Sequence, residues 1–97
     1  MPKRIFSYEQ AVALLPEVQR VTSEAVERVE STDESAAYER IVTDWAEEIM
    51  ALGIEVKGLW LIDFDSGGGY YCWKHPEQAL EYFHGYDEGF GGRVKLN

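Results

Sequence analysis

The stretch "LWLIDFDSGGGYYCWK", residues 59–74, decides the fold. Its two ends, "LWLIDF" (59–64) and "YYCWK" (70–74), are rich in aromatic and branched side chains, as strands are. "DSGGG" (65–69) between them reads as a hairpin loop. With all five of these residues in the loop, Phe64 pairs with Tyr70, Ile62 with Cys72 and Trp60 with Lys74. Asp63 then turns to the opposite face, near Tyr71. The register matters because a slip of one residue reverses every facing.

Upstream the period changes from that of a strand to that of a helix. Ser7 and Gln10 form a capping box, after which Ala11, Leu15, Val18, Thr22, Ala25 and Val29 recur at steps of four and three. Leu14 and Val21 widen this face. Pro16 lies inside the pattern and removes one hydrogen bond, so a kink or an early first turn is expected there. "STDES" (31–35) interrupts the pattern and offers several N-caps. A second apolar face follows, made of Tyr38, Ile41, Trp45, Ile49 and Leu52 and flanked by Val42, Ala46 and Met50. Gly53 stands where a left-handed residue ends a helix. The short link makes the two helices antiparallel neighbours.

Downstream, Pro76 could open a short helix, "PEQALEYFH", but an extended third strand is the favoured reading, with Leu80, Tyr82 and His84 on one side. "GYDEGFGGR" (85–93) then runs as a loop. The expectation is one α+β domain over 1–97. A long antiparallel helical hairpin (7–53) is followed by a β-rich part (54–97) holding a small antiparallel sheet of two or three strands.

Composition bounds the function. The chain has 97 residues and a net charge of −9, from eighteen acids against nine bases. Phosphates would be repelled, which excludes nonspecific binding to nucleic acid or to an anionic membrane. The opening "MPKRIFSYEQ" has a short basic run with no apolar stretch behind it, so no signal peptide is expected, and no apolar run is long enough to cross a bilayer. The lone cysteine, Cys72, excludes an internal disulfide and suits a reducing cytoplasm.

Several residues carry chemistry. Asp63 stands between Ile62 and Phe64, and a carboxylate buried there needs a charged or hydrogen-bonding partner. Arg93 is the first choice, with His84 or a tyrosine as alternatives, in a salt bridge that pins the tail to the sheet. Cys72 and His84 are the residue types of a thiolate–imidazole nucleophile, but a cysteine among aromatics is ordinarily a packing residue. Glu81 and His84 have the Glu-x-x-His spacing of carboxylate-bridged di-iron bundles, which place it on long helices. The three glycines at 67–69 lack the Lys-Ser/Thr pair of a phosphate loop. His75 precedes a proline at a turn and is read as solvated, and Trp45, Trp60 and Trp73 as core. One cysteine and two histidines offer few soft ligands, so no metal and no cofactor are assigned and tight zinc or iron is not expected.

"FSYEQAVALLPEVQR" (6–20), "LIDF" (61–64), "CW" (72–73), "YFH" (82–84) and "EGFGGR" (88–93) together resemble the family known as domain of unknown function 2203. His75-Pro76, Phe83, Asp65 and Val94-Lys95 depart from its pattern. The resemblance implies no activity. It singles out Asp63, Cys72, Trp73, Glu77, His84, Gly92 and Arg93, and so implies that Asp63, Glu77, His84 and Arg93 form one polar cluster with Cys72 nearby. The role expected first is a cytoplasmic interaction or scaffold protein. It would be a homo-oligomer through its helix faces, with Leu15, Val18, Ile41 and Trp45 at the contact. The alternative is a small-ligand, metal or catalytic site built from Asp63, Glu77, His84 and Arg93.

Overall fold

The computed structural model describes residues 4–96, so the first three residues of the basic opening lie outside the described residues. Two helices lead, α1 (Tyr8–Glu30) and α2 (Ser35–Ala51). Ser7 caps α1 as expected: its side chain accepts from the Gln10 amide, and the Gln10 side chain accepts from the Ser7 amide. α1 runs unbroken through Pro16, which lies on its exposed face, where water can satisfy the carbonyl that the proline leaves free. The N-cap of α2 is Glu34, with no side-chain hydrogen bond, and Gly53 follows the helix at φ +85°. No helix among the described residues is long and apolar enough to cross a membrane.

The sheet has five strands, not two or three. They are β1 (Glu55–Gly58), β2 (Leu61–Asp65), β3 (Tyr70–Lys74), β4 (Tyr82–His84) and β5 (Val94–Lys95), antiparallel and in sequential order. β1 and β5 are short and largely exposed, so neither carries an apolar pattern. The favoured third strand is present only as β4, and residues 76–81 form neither helix nor strand.

The hairpin register differs by one residue from the expectation. Asp65 belongs to β2, and its Oδ1 accepts from the Gly67 amide at 2.9 Å. Ser66 N donates to Gly69 O at 2.8 Å and closes the loop. Asp65 therefore pairs with Tyr70, Phe64 with Tyr71, Asp63 with Cys72 and Ile62 with Trp73. Trp60 does not extend the strand. It sits at φ +60° in the turn between β1 and β2, and its carbonyl accepts from the His75 amide.

This register sorts the sheet into two faces, because side chains alternate along a strand. Ile62, Phe64 and Trp73 join the buried core with α1 and α2, and Val56 and Tyr71 pack against it. Phe6 meets Phe64 edge-on, Tyr8 meets Tyr71, and Trp45 meets Trp60 with ring centroids 4.8 Å apart. Leu15, Val18, Ile41 and Trp45 are all buried in this core. Trp60 is partly exposed, and His75 packs its ring edge-on to Trp73. The opposite face carries Asp63, Asp65, Tyr70, Cys72 and His84.

The helices are joined by one buried polar contact, Trp45 Nε1 donating to Thr22 Oγ1 at 2.8 Å. Thr22→Val keeps the shape and strands the indole N–H. It is expected to cost about 1–3 kcal/mol in urea unfolding with an unchanged m-value.

Candidate functional site

The strand register places a carboxylate, a thiol and an imidazole together on the polar face. Asp63 in β2 lies opposite Cys72 in β3, and His84 in β4 lies opposite Tyr70. Their relative exposures are 1%, 1% and 4%, and one ligand atom from each lies within 4.8 Å of the other two. Gly69 lets β4 come this close, since a Cβ there would stand 2.9 Å from His84 O.

Hydrogen bonding fixes the imidazole. His84 Nδ1 is 2.9 Å from Gly85 O, and Nε2 is 3.0 Å from Asp63 Oδ2. A carbonyl oxygen only accepts, so Nδ1 carries a hydrogen. Nε2 then faces a carboxylate oxygen, and one hydrogen stands between the two atoms. The other oxygen, Asp63 Oδ1, is buried with no hydrogen-bond partner among the described residues.

Neither imidazole nitrogen is left for Cys72, so the thiolate–imidazole pair is not formed. Burial pushes the Cys72 thiol up to about 12, and the Asp63 carboxylate adds to this. Arg93 Nη1 stands 4.0 Å from Sγ and opposes the shift.

Arg93 pairs with Glu77, not with Asp63. The contact is two-pronged, Nη1 to Oε1 at 3.1 Å and Nη2 to Oε2 at 2.9 Å. The guanidinium is held between the Tyr82 and Phe90 rings, 3.9 and 4.1 Å from their centroids. Glu77 is free to take this part because of its own turn. Its Oε1 accepts from the Lys74 amide, and its carbonyl accepts from Trp73 Nε1. The tail is pinned to the sheet as expected, but by the acid of the 74–77 turn. All five candidate residues gather in one region as two pairs, Asp63–His84 and Glu77–Arg93, with Cys72 between them. Glu81 is not among the clustered donors.

Above the cluster lies a cleft of about 340 Å³. Asp63, Cys72 and His84 reach it from the sheet, and Tyr86, Glu88 and Phe90 form its far wall. Lys57 and Tyr70 border it; Lys57 is 4.3 Å from the Tyr70 ring centroid and pairs with Glu55 at 3.1 Å. Sequence reasoning missed Lys57, Tyr70, Tyr86, Glu88 and Asp65. One signal was available. Asp63 and Asp65 alternate with Ile62 and Phe64, which assigns both acids to one face.

Residues 27–96 match the model of a family described as "Uncharacterized conserved protein (DUF2203)". The "LIDF", "CW", "YFH" and "EGFGGR" motifs fall inside that span, and "FSYEQAVALLPEVQR" falls before it. No curated protein and no solved structure matches the chain.

Two outcomes are expected from this geometry. Burial holds the Cys72 thiol protonated at neutral pH, so it presents far less thiolate than a free thiol. Iodoacetamide should therefore label the folded protein at least about a hundredfold more slowly than the urea-unfolded chain. The folded state holds the thiol proton more tightly, so this group's contribution to stability is full below the free-thiol range and is lost as pH rises toward 12. In double-mutant cycles, Glu77→Ala with Arg93→Ala should couple by about 1 kcal/mol or more. Asp63→Ala with Arg93→Ala should couple less, and the reverse order would restore the Asp63–Arg93 pairing.

Proposed function

The chain belongs to the DUF2203 family, and from that premise we propose that it is a small binding protein whose site is the cleft over Asp63, Cys72 and His84. The observation that carries this is the buried, unpartnered Asp63 Oδ1 beside an imidazole and a thiol at the base of a cleft. An unsatisfied buried oxygen is unfavourable in a purely structural cluster, and a ligand offering a donor or a positive charge would satisfy it. Glu77 and Arg93, which the sequence grouped with the ligand-facing residues, brace the tail beside the cleft. Binding is favoured over nucleophilic catalysis because the thiol is held protonated and the imidazole is fully engaged. The lone free thiol supports placing the protein in a reducing cytoplasm.

A self-associating scaffold is the weaker reading. Its motive was unpaired apolar surface on the helices, and the four residues named for that contact already lie in the core.

A fragment screen followed by amide NMR tests the proposal. Small polar compounds should shift the amides of Asp63, Cys72, His84 and residues 85–90 together. Binders that shift only helix amides, or a library with no binder, would overturn it.

A further inference from the structure

Asp63, Cys72 and His84 present three different donor atoms to one point, all buried and all bordering the cleft. Sequence spacing gives no hint of this, because the three residues come from three strands. We propose that they form a three-ligand site for a divalent transition cation of the zinc class, with its fourth position open to the cleft. The proposal deepens the binding reading and rests on it for the place of the ligand.

The geometry is close to what such an ion needs. With metal–nitrogen and metal–oxygen bonds of about 2.0–2.1 Å, a tetrahedral centre sets its N and O ligands about 3.3 Å apart. His84 Nε2 and Asp63 Oδ2 stand 3.0 Å apart. Edges to a thiolate are about 3.5 Å in such a centre. No pair among the three ligand atoms exceeds 4.8 Å, so the Cys72 side chain has to close in by little more than about 1 Å.

The surroundings fit as well. A metal-ligating imidazole ordinarily donates its other N–H to a carbonyl or a carboxylate, and His84 Nδ1 does so to Gly85 O. The ion would stand between Nε2 and Oδ2 in place of the hydrogen they share. Asp63 Oδ1 would become a second metal ligand or accept from a metal-bound water. The donor set chooses the class of ion. Calcium and magnesium take oxygen ligands, whereas nitrogen with thiolate suits zinc, cobalt and their neighbours. Three protein ligands rather than four make an open, exchangeable site rather than a closed structural one. The proposal runs against the expectation from residue counts that zinc or iron is not tightly bound.

The test uses the full chain, stripped with chelator and then dialysed against zinc chloride or cobalt chloride at neutral pH. One ion per chain is expected. Cobalt should give a thiolate-to-metal charge-transfer absorption that Cys72→Ser removes, and His84→Ala should weaken binding about tenfold or more. Should those variants misfold, paramagnetic cobalt added to the unaltered protein decides the matter. Broadening centred on Asp63, Cys72 and His84 supports the site, whereas broadening on the acidic helix faces, or none, overturns it. Organic fragments that occupy the cleft of a protein taking up no metal would sink this inference and leave the binding reading standing. No occupant of either kind would sink both.

Discussion

A carboxylate buried in the middle of a sheet has to be neutralised where it stands, and Asp63 imposes that requirement on its surroundings. It stands at 1% exposure with Cys72 across the ladder. Its hydrogen-bonding partner comes from a strand two places away, so β4 must pair with β3 for His84 to reach it. The segment after His84 must also turn back over this face, since Gly85 supplies the carbonyl that orients the ring. Removing the charge but not the histidine would leave a buried ring nitrogen without its partner. The polar face is thus constrained as tightly as the apolar one, by hydrogen bonding rather than by area.

The helical half was largely legible in the sequence because its signals are local. The capping box at Ser7, the repeated apolar steps through Val29 and the left-handed Gly53 each lie within a few residues of what they determine. The sheet was legible as a sheet but not in detail. "DSGGG" reads equally as a loop of five or of four, and only the Asp65 side chain, bonded to Gly67, decides for four. β1 and β5 are assigned by pairing with neighbours, which leaves no mark on their own composition.

The candidate site was legible as a set of residues and not as a set of pairs. Asp63, Cys72, Glu77, His84 and Arg93 do gather. Which acid takes Arg93 depends on the backbone between Lys74 and Glu77, where the Glu77 side chain caps its own turn and so faces the tail. Long-range choice between two acids is set by such turn geometry, and residue types alone do not encode it. The wall of the cleft was missed for the same reason: Tyr86 reaches Tyr70, and Phe90 reaches the Arg93 guanidinium, only after the chain has doubled back.

Trp60 links the two layers in a way that bears on how the molecule opens. A tryptophan at φ +60° holds its backbone at a cost of about 1–2 kcal/mol, and here its ring packs against Trp45 of α2 while its carbonyl holds the amide of His75. If α2 lifts away, the turn is free to relax, and the hydrogen bond that steadies the 74–77 corner loses its acceptor. That corner carries Glu77, and Glu77 carries the tail. Helices and the polar face of the sheet are therefore expected to open as one cooperative unit. Local opening should begin at the short β5 edge, and the helix–sheet junction should exchange its amide hydrogens together with the floor of the cleft, near the limit set by global unfolding.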